Sequence, residues 1–469
     1  MKKIFTLIFS LLATGLMAQT SVDGNQSGSW TLDNSPYEVT GDIVVPNGQI
    51  LIIEAGVEVN FQGYYKFTVN GNLQALGNED AMIVFTTDNT STGWHGLRLN
   101  ASQNGSHLQY CKIEYGKTFG SAFPNMHGGA IMMNNSDAIM EDCVFENNEA
   151  TAEENGMGGA IYGLNTTSAT QILRCTFINN HAYGEGGAIK LTADDGAHIE
   201  DCIFKDNTVL YGGGGICLYG CHDTRINGSL FVGNATSYSN GGAAFVEAYC
   251  ARVVFANCTF YDNHADGGDG GAMDIVFSDA SLTNTIVYNN SGAYSDNIFL
   301  DNGYAEINYC NTPFPDGAEG SNNIEINPQF IDASNGDFHL SENSPCIDQG
   351  IAFLTITDAY GDQITTVDLD ESEYIGVAPD MGCYEYDPNS AVAENVITSF
   401  KIFPNPAQHT IYFDEGKIDK LTITDNQGRI ILENQNIQKE MNVSFLSQGI
   451  YFVTIIKDSE VKSSKLIVE

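Results

Sequence analysis

Between Gly128 and Asn290 one short phrase of sequence is written six times. Gly128-Gly129-Ala130-Ile131 opens the first copy and Cys143-Val144-Phe145-Glu146-Asn147-Asn148 closes it. The opener returns as Gly158-Gly159-Ala160-Ile161, Gly186-Gly187-Ala188-Ile189, Gly213-Gly214-Gly215-Ile216, Gly241-Gly242-Ala243-Ala244 and Gly270-Gly271-Ala272-Met273. The closer returns around Phe177 and Asn180, Phe204 and Asn207, Phe231 and Asn234, and Phe260 and Asn263, then fades to Val287 and Asn290. A phrase recurring every 27 to 30 residues predicts a repeat architecture. A unit this short cannot enclose a core, so it buries its apolar face against its neighbours.

Helical repeats need long runs with apolar residues at i, i+3 and i+4, and the repeated block has none. It has short alternating runs such as Ile199-Glu200-Asp201-Cys202-Ile203-Phe204, bounded by Gly, Asn and Asp, which are strand and turn signals. Propeller blades need longer periods and four strands each. A parallel β-helix fits: each copy is one coil, and equivalent residues stack about 4.8 Å apart along the axis. Phe145, Phe177, Phe204, Phe231 and Phe260 then form an inward aromatic stack. Two residues earlier, on the same face, Cys111, Cys143, Cys175, Cys202, Ser229, Cys258 and Thr285 form an inward ladder of small side chains. The Asn three residues after each Phe suits a left-handed turn, and stacked amides can bond along the axis. The Gly-Gly pair gives a tight corner. Because every copy carries these residues, they read as architecture rather than as a site.

Paired Gly-Gly-Ala-Ile and Phe-x-x-Asn motifs resemble those of the chlamydial polymorphic outer-membrane proteins and, more broadly, the right-handed parallel β-helix (pectin-lyase-like) families. The resemblance implies the fold and an adhesin-like role. Upstream, Gly93-Trp94-His95-Gly96-Leu97 is similar to the Trp-Gly-Gly-Ile turn of bacterial β-helix proteins. Downstream, Asn327-Pro328-Gln329-Phe330, Ser344-Pro345-Cys346-Ile347-Asp348 and Pro379-Asp380-Met381-Gly382-Cys383 resemble the terminal segment sometimes called a choice-of-anchor domain. Its Asp348 and Asp380 are expected to order turns.

The chain therefore divides as follows. Residues 1–18 read as a secretory signal, with Lys2 and Lys3 ahead of an apolar run from Ile4 to Leu12. Residues 19–110 read as an N-terminal cap and first coils, with Ser21 to Thr40 covering the open end. Residues 111–310 are the repeat coils, 311–387 a terminal β-helix segment, and 388–398 a linker. In residues 399–469, Phe403-Pro404-Asn405-Pro406-Ala407, Leu421-Thr422-Ile423-Thr424-Asp425 and Gly449-Ile450-Tyr451-Phe452-Val453 read as a small β-sandwich of about seven short strands. These motifs also resemble the type A C-terminal sorting domain of the Bacteroidetes type IX secretion system. That resemblance implies contact with the secretion machinery, export across the outer membrane, removal of the domain, and often attachment to surface lipopolysaccharide. No later stretch is apolar for long enough to read as a transmembrane segment. The expected fold class is all-β: a right-handed parallel β-helix followed by a small β-sandwich.

Charge narrows the partners. With 19 Lys and Arg against 59 Asp and Glu, the net charge is −40, which argues against nucleic acid and anionic membranes. No cofactor is required by any motif. Ca²⁺ is the one with candidate ligands, at Asp266-Gly267-Gly268-Asp269 (metal candidates Asp266 and Asp269) and at Asp368-Leu369-Asp370-Glu371-Ser372-Glu373, neither with EF-hand spacing. Of the eleven cysteines, those in the inward ladder read as buried thiols. Cys221 and Cys250 fall in adjacent copies, one position apart once the glycine openers are aligned. Cys346 and Cys383 stand where the resembling terminal segments carry small residues. Both pairs are expected to be bridged.

If Ile131 and its equivalents point inward, alternation sends Met132, Tyr162, Lys190, Cys217, Phe245 and Asp274 outward. Two residues on lie Asn134, Leu164, Thr192, Tyr219, Glu247 and Val276. These columns vary from copy to copy, as a ligand surface would, although solvent-facing strand positions also vary freely. Tyr162, Tyr219 and Phe245 suit sugar faces. Lys190 with Tyr162 or Tyr219 would supply base and acid for a β-elimination, and Glu247 and Asp274 would hold Ca²⁺ against a uronate. Three readings stay open: a glycan- or cell-surface-binding protein, a polysaccharide lyase or hydrolase, and a structural surface component. The same fold serves all three.

Overall fold

The computed structural model describes residues 19–100, 105–120, 122–123, 125–151, 155–293, 295–358, 361–388, 402–403, 405–407, 409–413, 418–425, 429–437, 440–457 and 460–468. The signal reading on 1–18 lies outside these residues, as does all but the start of the expected linker. The chain forms two compact units, Met1–Tyr386 and Asp387–Glu469.

In the first unit each copy closes one coil of a parallel β-helix. The openers form a column of parallel strands, running Leu97–Asn100, Ile131–Asn134, Ile161–Leu164, Ile189–Thr192, Ile216–Tyr219, Ala244–Glu247, Met273–Val276 and Ile298–Asp301, each in register with the next. A second column is an 11-stranded parallel sheet that includes His198–Glu200, Arg225–Asn227 and Val253–Ala256. The Phe positions form a third, and a 7-stranded sheet of two-residue strands such as His181–Ala182 forms a fourth. Like side chains meet because the repeat coils stay in register, and a one-residue slip would turn every inward residue out.

The interior follows the repeated letters. Phe145, Phe177, Phe204, Phe231 and Phe260 stack with centroids 4.5–4.9 Å apart and planes within 5° of parallel. Each ring contact adds about 0.5–1.5 kcal/mol beyond area burial. The Asn ladder is continuous. Asn148 Nδ2 donates to Asn180 Oδ1 at 3.0 Å, and the relay runs through Asn207, Asn234 and Asn263 to Asn290 at 2.8–2.9 Å. The expected left-handed turn belongs one residue earlier. Asn147, Asn179, Asp206, Gly233, Asp262 and Asn289 carry φ of 53° to 65°, which swings the following Asn inward to pair.

The two glycines of each corner serve different needs. The first takes positive φ, as at Gly128 (63°) and Gly186 (69°). The second lies against the next coil, so that a Cβ on Gly187 would stand 2.1 Å from the Gly214 carbonyl oxygen.

Both ends depart from expectation. Residues expected to cap the first coil form a coil themselves. Thr20–Asn25 pairs in parallel with Tyr37–Val45, and Trp30 stacks on Tyr37 with centroids 4.7 Å apart. After Cys310 regular coils give way to antiparallel hairpins, Phe330–Asp332 with Asp337–Leu340 and Phe353–Thr357 with Gln363–Asp368. The second hairpin packs Ile356, Ile364 and Val367 on Val254 and Ala256, the outer face of the 11-stranded sheet. Asp348 and Asp380 order turns. Asp380 accepts from the Asp348 and Tyr386 amides, and Asp348 from Val377 and Ala378.

Among its described residues the second unit pairs its strands antiparallel, with one parallel bridge between Ala407 and Val468. It has a 3-stranded sheet (Ile402–Phe403, Thr410–Phe413, Glu440–Asn442) and a 4-stranded sheet (Ile418–Asp425, Ile430–Ile437, Gly449–Lys457, Glu460–Val468). They share a core of Ile411, Phe413, Leu421, Ile423, Val453, Ile455 and Leu466, which makes a small sandwich.

Candidate functional site

The varied column does turn away from the central core, yet it is not a surface. Met132, Lys190, Cys217 and Asp274 are at most 1 % exposed, Tyr162 5 % and Phe245 8 %. The cover comes from the segments leading into each Gly-Gly corner. His127 stacks on the Tyr162 ring at 4.5 Å, Gly212 lies against the Phe245 ring, and Asn240 donates to Asp274 at 2.6 Å. Strand alternation gives direction but not accessibility, so Tyr162, Phe245 and Asp274 are corrected from solvent-facing positions to the floor beneath a ridge of loops. Of the proposed sugar-stacking rings only Tyr219 stays open, at 46 %.

Lys190 is the centre of that floor. Its Nζ lies 2.5 Å from Glu185 Oε2, 3.1 Å from Glu247 Oε1 and 3.1 Å from Cys217 Sγ, and 5.0 Å from the Tyr219 ring centroid. Burial works against the ammonium, but the Glu185 and Glu247 carboxylates outweigh it and hold Lys190 well above the ordinary lysine value. A general base must be neutral to accept a proton. A buried amine held as ammonium at rest does not fit that role; the Tyr162 phenol, expected as the acid, is pushed upward by burial and keeps its proton. The Lys190, Tyr162 and Tyr219 lyase set therefore lacks its base in the resting protein.

Among the described residues, Glu185, Cys217 and Glu247 are the one set of three His, Cys, Asp or Glu donors with atoms within 4.8 Å of each other. Lys190 already supplies the cation there. Asp266 is exposed and Asp269 half-buried, and neither joins such a set. No cysteine is bridged: all eleven are free thiols. Cys221 and Cys250 belong to a second inward ladder, where the Cys221 amide donates to Cys250 Sγ at 3.1 Å and the Cys250 amide to Ser278 Oγ at 3.0 Å. Cys346 Sγ accepts from Asn311 Nδ2 at 3.1 Å, and the Cys383 amide donates to Thr259 Oγ1.

Asp274 has a pH signature. Its Oδ1 is buried without a hydrogen-bond partner. Burial pushes its carboxyl up to about 7, aided by Asp301 and Asp269 against the Asn240 bond. A folded pKa raised above the unfolded one leaves stability intact below about pH 4 and erodes it as pH rises through about 7. Asp274→Asn is therefore expected to stabilise the protein at pH 8 by on the order of 2 kcal/mol and to change little at pH 4. Urea unfolding at the two pH values checks this, and an equal effect at both would refute the ionisation argument.

Two surface features escaped the column reading. Tyr183, Tyr211 and Tyr238 line up along successive loops with centroids 6.1 and 6.4 Å apart, and Tyr211 and Tyr238 are 45 % and 68 % exposed. Beyond Tyr219, Tyr249 and Phe277 pair at 6.4 Å, both exposed. Their sequence signal was faint: Tyr183, Tyr211 and Tyr238 stand two or three residues before the Gly-Gly openers, an offset that shifts from copy to copy. The other feature is a cleft of about 380 Å³ between the 11-stranded sheet and the Phe353–Thr357/Gln363–Asp368 hairpin, lined by His198, Glu200, Arg225, Asn227, Thr365 and Glu373 among others. Arg225 ties its edge by donating to the Thr365 carbonyl at 2.9 Å. An adjoining hollow of about 310 Å³ reaches Glu385, whose carboxyl burial raises to about 6. Both Glu385 oxygens accept main-chain amides, from Asp380 and Ile375, so that carboxylate holds a turn.

Comparison with known families adds three matches. A secretion system C-terminal sorting domain covers residues 401–469, a right handed beta helix region covers 159–327, and a Chlamydia polymorphic membrane protein repeat covers 142–164. No curated protein matches the chain. The coils are thus a right-handed β-helix, and the sorting domain directs the protein through type IX secretion to the cell surface or the extracellular space. Among the described residues no helix is long and apolar enough to cross a membrane.

Proposed function

We propose that this exported β-helix binds neutral polysaccharide or cell-surface glycans through the exposed rings on its loop ridge, as an adhesin-like protein without catalysis at Lys190. The observation that carries the reading is the row Tyr183, Tyr211 and Tyr238, one ring per coil at 6.1 and 6.4 Å spacing. Exposed aromatic rings at regular spacing offer flat apolar faces to successive sugar rings while their hydroxyls stay wet. Tyr219, Tyr249 and Phe277 supply further rings on the other side of the same strands. A net charge of −40 favours uncharged chains over uronates.

Affinity electrophoresis of the secreted protein in gels containing neutral polysaccharides tests this. Retardation is expected, and Tyr211→Ala with Tyr238→Ala should weaken binding about tenfold, in keeping with about 1–2 kcal/mol for truncated aromatic anchors. Because both rings are exposed, the thermal midpoint should hold. No retardation by any neutral polysaccharide, or an unchanged double variant, would remove the reading. Release of new reducing ends would favour an enzyme instead.

A further inference from the structure

Cys217 differs from the cysteines of the inward ladders. Cys143, Cys175, Cys202 and Cys258 each donate to main-chain carbonyls of the core. Cys217 lies in the outer column with its Sγ 3.1 Å from Lys190 Nζ and 3.6 Å from Glu247 Oε1. Lys190 and Cys217 are direct partners on adjacent coils, so their side chains meet without a change of register. The protein is delivered to the cell exterior, where thiols face oxidants rather than a reducing pool.

We propose that Lys190 and Cys217 form a covalent sulfur–nitrogen cross-link between neighbouring coils when the exported protein meets hydrogen peroxide. The flanking carboxylates provide the proton acceptors. Cys217 gives its proton to Glu247 as its sulfur attacks one peroxide oxygen; the O–O bond breaks, and the departing hydroxide takes that proton back from Glu247, leaving a sulfenic acid and one water. Lys190 rests as ammonium; in the rare moments when Glu185 at 2.5 Å holds its proton, its nitrogen lone pair attacks that sulfur. The S–O bond breaks, and the departing hydroxide takes a proton from nitrogen and leaves as a second water. In sum, a thiol, an amine and one peroxide give an S–N bond and two waters; sulfur loses two electrons and peroxide gains them. Condensation of a sulfenic acid with a nearby nitrogen is known cysteine chemistry. At rest burial keeps the Cys217 thiol protonated, well above the ordinary cysteine value despite the pull of Lys190, so the link awaits an oxidant instead of forming spontaneously.

The test treats the secreted full chain with hydrogen peroxide, alkylates free thiols under denaturing conditions, digests, and maps peptides by mass spectrometry. The expected product is a peptide pair joined at Lys190 and Cys217, lighter by two hydrogens than its parts and reopened by dithiothreitol. A rise in thermal midpoint on oxidation should accompany it and be absent from Cys217→Ser. Lys190→Arg, which keeps the charge, should give no linked pair. Full recovery of alkylated Cys217, or a sulfinic acid with no link, overturns the proposal. A linked pair carrying an additional oxygen overturns the S–N chemistry. Failure of this test would leave glycan binding untouched, since the exposed rings take no part in it.

Discussion

Gly187→Ala is expected to abolish cooperative folding of the coils, at a cost of about 4 kcal/mol or more, the range reserved for severe core lesions. An added Cβ would stand 2.1 Å from the Gly214 carbonyl oxygen and 2.8 Å from that of Thr208. Both are main-chain atoms, one in the corner of the next coil and the other in the Thr208–Val209 strand, so no rotamer change relieves the clash; a coil must move. Gly159 and Gly242 face the same constraint, at 2.1 Å from Gly187 and Gly271 carbonyls, and a strained corner would propagate because each coil rests only on its neighbours. Gly48→Ala is the control. Its φ is 73° with nothing within 4 Å of the added carbon, so only conformational strain of about 1 kcal/mol is expected. Circular dichroism during urea unfolding separates the two variants. A Gly187→Ala protein with a transition like that of Gly48→Ala would mean the coils are not packed this closely.

The same contrast explains what could be read ahead of the structure. Phe177, Cys175, Asn180 and Gly187 were legible because the same or a like residue recurs from copy to copy, and repetition in sequence becomes repetition in register. Their stack, ladder and corner then follow from strand alternation and spacing alone. The αL position was misplaced by one because Asn147 and Asn148 are both suited to the turn, and only the ladder bond separates their roles. The burial of Tyr162, Lys190 and Asp274 was not legible. Their cover is Glu185, His127 and Asn240, loop residues that share no motif across copies. The cleft at Arg225 depends on Thr365, 140 residues away, in a hairpin whose docking on Val254 and Ala256 leaves no periodic trace.

Lys190→Met should lower the unfolding free energy by about 3 kcal/mol at pH 8, the lower end of the cost of breaking a buried ion pair. The lower end applies because the Glu185 and Glu247 side chains keep 23 % and 16 % exposure, so water screens part of the uncompensated charge. The pH dependence identifies the cause. Lys190 is raised above its ordinary value, so its contribution in the native protein is complete at neutral pH and fades only when alkali strips the ammonium. Burial raises Glu247, and Lys190 opposes that rise. Without the ammonium Glu247 climbs further, and the folded variant takes up a proton that the unfolded chain still releases. The stability deficit of Lys190→Met should accordingly shrink as pH falls from 8 towards 5. Adding Glu247→Gln should recover part of it at pH 8, where that carboxylate would otherwise be charged. Denaturant titrations of the single and double variants at both pH values decide the matter. A deficit that is flat with pH and unmoved by Glu247→Gln would assign Lys190's role to the packing of its aliphatic stem between Tyr162 and Cys217, and the ion cluster would then be incidental to the fold.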